Sequence, residues 1–355
     1  MMLNRKNKGR TGRLGSMVAI TAVAALALTA CNSGSASSSD TNSPSGAGGD
    51  QKITFIPKQL NNPYTDVVLG GGKKGATEAG FASSQVVGPL EASASSQVSF
   101  INAETQAGTN VITIAANDPD AVCTALGEAR SAGAKIVAFD SDTNPDCRDV
   151  FISQVVAKDV ALIQTKLISE QISGSGEIAI LSATANATNQ NEWIKYMEEE
   201  LASNPAYKDI KLVAKVYGDD NDTKSFQEAQ GLMQAHPSLK GIISPTTVGI
   251  AATARYLSTS AYKGKVALTG LGLPNEMRPF VKDGTVKEFA LWDPAQLGYV
   301  AAFAGKALTD GKITGAEGDT FTAGELGERK VEKGGLVIVG PPTVFNAENI
   351  DKYNF

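Results

Sequence analysis

Six short polar words stand just past β-branched runs in this 355-residue chain: Pro57-Lys58, Asp140-Ser141-Asp142, Thr188-Asn189-Gln190, Pro245-Thr246-Thr247, Pro274-Asn275 and Trp292-Asp293. Their shared chemistry is hydrogen bonding, from an ammonium, carboxylates, amides and hydroxyls, with an indole beside them. Converging on one cleft, such groups suit a polyhydroxylated ring with polar edges and an apolar face. The parts for covalent catalysis are scarce. The single histidine, His236, sits in an Ala-His-Pro turn context and no GxSxG word occurs, so histidine triads and zinc sites have too few members. Paired carboxylates such as Asp140 and Asp142 support acid–base work only with a raised pKa and an opposed geometry, which the sequence does not supply.

Three other motifs invite a chemical reading and fail on their surroundings. Gly70-Gly71-Gly72-Lys73-Lys74-Gly75 satisfies GxGxxG, with Glu91 downstream, but in a dinucleotide site the glycines directly follow a strand. Here the strand ends near Lys58 and the helical run Asn62 to Leu69 intervenes. Asp140, Asp142, Asn144 and Asp146 have the spacing of a calcium loop, yet Pro145 and Phe151 replace its glycine and its terminal glutamate. Asp219-Asp220-Asn221-Asp222 lacks the same two residues and reads as a solvated acidic turn. No metal or cofactor is expected.

The elements that must position the polar words alternate between short β-branched runs and amphipathic helical stretches. Strands are expected at Lys52 to Ile56, Val111 to Ala115, Lys135 to Phe139 and Val150 to Val155. A second series follows at Glu177 to Leu181, Lys211 to Val216, Gly241 to Ser244, Lys265 to Thr269 and Val286 to Leu291. Strands separated by helices imply parallel sheets, and two consecutive series imply two doubly wound α/β lobes. Ligands of such sheets bind beyond the carboxyl ends of the strands, where the six words lie. Trp193, Ile194, Met197 and Leu201 form one apolar helix face and are expected in the core.

The amino terminus sets compartment and anchorage. Arg5, Lys6, Lys8, Arg10 and Arg13 precede an apolar run, Met17 to Ala30, too short to span a bilayer and closing on Leu28-Thr29-Ala30-Cys31. Residues 1–30 are therefore expected to be a lipoprotein signal peptide, Cys31 the lipidated first mature residue, and 31–50, rich in Ser, Gly, Ala and Asn, a flexible tether. Removing the leader takes five of the 32 basic residues and leaves 27 against 37 acidic ones, a formal charge of −10. Nucleic acid is excluded as a partner on that charge. Cys123 and Cys147 are the thiols left, and outside the cytoplasm such a pair is expected to form a structural disulfide.

Phe55-Ile56-Pro57-Lys58, Phe139-Asp140-Ser141-Asp142-Thr143, Thr188-Asn189-Gln190-Asn191, Gly284 to Phe289, Leu291-Trp292-Asp293 and the ending Asn349 to Tyr353 occur in that order from about residue 52 to the C-terminus. Together they resemble the rhamnose-binding and autoinducer-2-binding solute receptors of ABC importers. The resemblance implies a type I periplasmic binding protein: two doubly wound parallel-sheet lobes, a three-crossover hinge, a ligand trapped between the lobes, and a permease and ATPase as partners. It implies a first lobe over 51–155 and 291–325 and a second over 156–290 and 326–355. A monomer outside the cytoplasm, lipid-anchored to the outer face of the cell membrane and without catalytic activity, is expected.

The autoinducer receptors use a lysine, an aspartate, an Asp-Gln pair, a proline and an alanine, which Lys58, Asp140, Gln190 and Pro245 match. Asn189 and Thr247 depart from that pattern. Both departures fall inside Ser182 to Gln190 and Ser244 to Ile250, words similar to those of the rhamnose receptors. L-rhamnose is thus the expected ligand, with Lys58, Asp140, Asn189, Gln190 and Asp293 on its hydroxyls and Tyr64 or Trp292 over its apolar face or methyl. Asn62, Asp142, Pro245, Thr247 and Asn275 complete the expected site. The competing readings are an autoinducer-2 receptor and an extracellular sugar-converting enzyme or purely sensory protein.

Overall fold

The computed structural model describes residues 50–355. The leader expected over 1–30, the lipidated Cys31 and the tether up to residue 49 lie outside them. In chain order the elements are β1 (Lys52–Ile56), α1 (Pro63–Ala79), β2 (Ser83–Val86), α2 (Ala94–Gln106), β3 (Val111–Ile114), α3 (Cys123–Ser131), β4 (Lys135–Phe139), β5 (Val150–Ser153), α4 (Ala157–Gln171), β6 (Ser175–Ser182), α5 (Thr188–Ser203) and β7 (Asp209–Tyr217). There follow α6 (Asp222–Ala235), β8 (Leu239–Ser244), α7 (Thr247–Thr259), β9 (Ala267–Gly270), α8 (Pro274–Lys282), β10 (Phe289–Leu291), α9 (Pro294–Thr309), β11 (Thr320–Thr322), β12 (Glu328–Lys330), β13 (Leu336–Ile338) and β14 (Thr343–Phe345).

Two parallel sheets organise these elements, an α/β architecture with helices packed on the strands. The first runs β13-β5-β4-β3-β1-β2 and the second β7-β6-β8-β9, with every neighbouring pair parallel. The central strands are mostly apolar, as a sheet buried on both faces requires, with Thr54 of β1 and Thr113 of β3 buried among them. Along them the side chains alternate between two clusters. Ile53, Phe55, Val111, Val137 and Phe139 pack with Val68 of α1 and Leu297 and Val300 of α9, while Ile56, Ile112, Ile114 and Ile136 pack with Ile101 of α2 and Leu126 of α3. A single cluster around Ile178, Ile180, Ile242, Leu268 and Trp193 forms the second core.

The glycine-rich run lies inside α1, where it serves packing. A Cβ on Gly71 would stand 1.9 Å from the Ala295 carbonyl oxygen of α9, one on Gly298 2.1 Å from the Val68 carbonyl, and one on Gly72 2.6 Å from the Phe55 ring. Bare backbone is what lets α1 and α9 approach this closely on β1. Cys123 at the start of α3 is bonded to Cys147, across a separation of 24 residues.

The expected allocation of the tail needs correcting. Residues 326–355 were assigned together to the second lobe, but Leu336 to Ile338 pair in parallel register with Phe151 to Ser153, so β13 is an outer strand of the first sheet. Val331, Val337 and Val339 bury against that sheet's core. Beyond them the chain returns: β14 pairs antiparallel with β10, and Phe345 and Ile350 join the second core. The exposed polar strand β2 and the antiparallel β11–β12 pair were not expected either, since neither carries an apolar run.

Candidate functional site

A cavity of about 620 Å³, counted as atom-free space including its solvent-open part, lies at the carboxyl ends of both sheets. The first sheet contributes Pro57, Lys58 and Gln59 after β1, Ala115 after β3, and Phe139 and Asp140 at the end of β4, with Asn62, Tyr64, Thr65 and Val68 from the start of α1. The second contributes Asn189, Gln190 and Trp193 of α5, Asp220 after β7, Pro245, Thr246 and Thr247 after β8, and Leu271 after β9; Leu291 and Trp292 follow on β10 and the return to α9. Apolar rings and aliphatic groups thus stand beside one ammonium, two carboxylates and several amides.

Local structure fixes each polar group. Buried Gln97 donates to the Pro57 and Ala115 carbonyls at 3.0 and 2.8 Å, and its oxygen accepts from the Asn117 N–H at 2.9 Å. Asn117 in turn donates to the Lys58 carbonyl at 2.8 Å, so the end of β1 is pinned where Lys58 projects. Asn62 caps α1 by accepting from the Tyr64 and Thr65 N–H groups, with Pro63 in the first turn, and this places Tyr64 over the cavity. Asp140 has a left-handed backbone, φ 62°, uncommon for a residue with a side chain and typical of a functional turn.

Asp140 is the hub. The Tyr64 hydroxyl donates to its Oδ1 at 2.9 Å and itself accepts from Trp292 Nε1 at 3.0 Å; Gln154 Nε2 donates to the same Oδ1 at 2.9 Å. Lys58 Nζ lies 3.9 Å from Oδ2. Burial pushes the Asp140 carboxyl above its ordinary range, opposed by the Lys58 charge and the Tyr64 bond. Burial, reinforced by the Asp140 charge, raises the Tyr64 phenol well above 10.0. The ring of Tyr64 meets that of Trp292 edge-on at 6.2 Å, and Trp292 meets Trp193 at 5.9 Å, an aromatic wall joining α1, α5 and the β10–α9 connection.

Bonds also cross the cleft between the sheets. Lys58 Nζ donates to Asn189 Oδ1 at 3.1 Å, Asn189 Nδ2 to the Asp140 carbonyl at 3.3 Å, and Gln59 Nε2 to the Asp220 carbonyl at 3.3 Å. Gln190 Oε1 accepts from Ser182 Oγ at 2.6 Å and the Ala183 N–H at 2.8 Å, which turns the amide nitrogen of this residue toward the cavity it lines.

Nine expected site residues, Lys58, Asn62, Tyr64, Asp140, Asn189, Gln190, Pro245, Thr247 and Trp292, are brought together here. Three are not. The Asp142 carboxylate is held by Arg148, from Nε at 2.6 Å and Nη2 at 2.8 Å. Asn275 lies in α8 and accepts from Arg278. Asp293 caps α9, accepting from the Ala295 N–H at 3.0 Å, the capping role that an aspartate before Pro294 signals. Conversely, Gln59, Thr65, Trp193 and Asp220 line the cavity without having been expected there, and Thr246 joins its strand-end neighbours Pro245 and Thr247 in the wall. Trp193 is 4% exposed, as a core reading requires, yet the edge of that core is the cavity wall.

A model of the periplasmic binding protein domain matches residues 53–313. Among solved structures the chain is similar to a sugar ABC transporter chain from Actinomyces odontolyticus, with 72% identity, 86% of this chain and 98% of that one covered, and a TM-score of 0.71. It is similar to an ABC transporter solute-binding protein from Clostridium phytofermentas with bound L-rhamnose, at 36% identity, 86% and 98% coverage and a TM-score of 0.81. The fold is shared as well with LsrB from Clostridium saccharobutylicum in complex with AI-2, at 24% identity, 86% and 100% coverage and a TM-score of 0.80.

Proposed function

The chain belongs to the periplasmic binding protein family, and from that premise we propose that it is the solute receptor of an ABC sugar importer, binding L-rhamnose between its two sheets and handing it to a permease. The observation that carries this reading is the cavity itself, where an ammonium, carboxylates and amides from both sides surround a space walled by Tyr64, Trp292 and Trp193. Hydroxyls at a pyranose edge match the polar groups, and the sugar's methyl and apolar face match the rings. The rhamnose-bound relative at 36% identity supports the choice of sugar.

A ligand touching both sides favours the closed arrangement, because it gains there contacts that an open form lacks. Nothing in this reading requires chemistry on the sugar. The receptor acts outside the cytoplasm as a monomer, held to the membrane through a lipid on Cys31.

An autoinducer-2 receptor is the second reading, favoured by the shared Lys58, Asp140, Gln190 and Pro245. Asn189 speaks against it. Its Oδ1 accepts from Lys58 while its Nδ2 donates to the Asp140 carbonyl, and an aspartate has no donor for the second bond. Titration calorimetry of residues 50–355 with L-rhamnose, L-fucose and autoinducer-2 decides between them. Micromolar or tighter rhamnose binding with silence from autoinducer-2 is expected; tight autoinducer-2 binding overturns the importer reading, and silence from all three overturns the ligand assignment.

A further inference from the structure

The acidic run after β7 divides its labour. Asp219 is paired with Lys224 at 2.5 Å, and Asp222 with Arg255 at 2.7 Å, both on the outer surface. Asp220 forms no ion pair among the described residues. Its carboxylate accepts from the Thr246 hydroxyl, its carbonyl accepts from Gln59 across the cleft, and the residue lines the cavity wall; like Asp219, it has a left-handed backbone, φ 49°. Burial raises the Asp220 carboxyl above its ordinary range, against the Thr246 bond and the Lys58 charge and with the repulsion of Asp140 and Asp219 added. An unpaired, partly buried carboxylate costs folding stability, and here that cost falls on a group facing the ligand space.

The charged residues lining the cavity are Lys58, Asp140 and Asp220. With both carboxylates ionised, Lys58 offsets one and the second leaves the wall net negative. We propose that Asp220 is a specificity-determining residue, whose charge confines the cleft to uncharged sugars and turns away sugar acids of the same ring. The inference rests on the sugar-receptor reading above and sharpens it. A hydroxyl can donate to the Asp220 carboxylate, whereas a ligand carboxylate offers no proton and brings a third anion into a space of low dielectric.

The test compares L-rhamnose, L-mannose and L-mannuronate, which differ only at C6 by methyl, hydroxymethyl and carboxylate, against the full chain and its Asp220→Asn variant by titration calorimetry. Asparagine tolerates the left-handed backbone and keeps an acceptor for Thr246, so the loop is retained. The wild type should bind L-mannuronate about 100-fold more weakly than L-mannose, and Asp220→Asn should narrow that gap about tenfold. A ratio unchanged in Asp220→Asn, including equal weakening of all ligands, overturns the proposal, since it assigns Asp220 to loop structure alone. Silence of the wild type toward all three sugars overturns the rhamnose reading and this inference with it, an outcome distinct from rhamnose binding with an unaltered ratio.

Discussion

Replacing Tyr64 by Phe isolates one oxygen that serves two buried groups. The ring and its edge-on contact with Trp292 at 6.2 Å are kept, while the 2.9 Å bond to Asp140 and the 3.0 Å bond from Trp292 are lost. A hydrogen bond to a charged acceptor contributes about 1.5–3 kcal/mol, and a buried donor left without a partner costs about 1–3 kcal/mol. Asp140 retains Gln154 and Lys58, and Tyr64 is only partly buried, so water can replace some of what is lost. The net destabilisation should be about 2 kcal/mol, which at a slope of about 3 kcal/mol/M lowers the urea midpoint by about 0.7 M. Circular dichroism of wild type and variant at neutral pH measures it. The oxygen also holds Asp140 in its orientation toward Lys58, so rhamnose affinity should fall by about tenfold or more. A midpoint within about 0.1 M of wild type together with unchanged affinity would show that the hydroxyl does not bridge Trp292 and Asp140, and the account of the hub would be wrong.

Gln190→Glu keeps acceptors for Ser182 and the Ala183 N–H but exchanges the donor facing the cavity for an anion; calorimetry should show at least about tenfold weaker rhamnose binding with the thermal midpoint little changed, and full-strength binding would mean that this amide does not meet the sugar. Stability should also depend on pH in a definite sense. Asp140, Asp142 and Asp220 and Glu192 are held above their ordinary range chiefly by burial, so each contributes stability that is complete below that range, near 4, and lost as pH rises through the raised value. Asp319, held low by its bonds from Thr314, and Asp351, held low by Lys282, act oppositely and lose their contribution as pH falls through the lowered values. The thermal midpoint, scanned from pH 4 to 8, should therefore peak on the acidic side of neutrality; a midpoint rising steadily to pH 8 contradicts the assignment.

Alternating apolar runs and strand-end words were enough to locate both sheets apart from the outer strands β2 and β13, and nine of the residues that line the cavity, because those signals are local. What escaped was of two kinds. The word after a strand says where a residue lies but not where its side chain points. Asp142, two residues past Asp140, therefore looks equivalent to it until Arg148 is seen to occupy its carboxylate. The second kind is masking by composition. Asp220 sits among four polar residues whose charge density reads as solvated, yet it follows β7 as the other words follow their strands, and the strand-end rule applied there would have found it. The pairing of Leu336 with Phe151 had no local signal at all, since a strand's pattern shows that it is buried and not beside which partner.

The identity of Asn189 shows how the wall constrains itself. Asn189 lies in the first turn of α5, which follows the second sheet's β6 after a short loop, and its side chain spans to the end of β4 in the first. There it meets an ammonium and a carbonyl together, so it must accept from Lys58 and donate to Asp140 at once. Aspartate meets the first demand and fails the second, setting an anion against a carbonyl oxygen beside a carboxylate already raised by burial. Since both partners come from the opposite side of the cleft, the two bonds made by this amide exist only when the sheets are close. Under the proposed rhamnose reading, the residue that separates the two sequence patterns also ties the two sheets together, so selectivity and closure would be read by the same side chain.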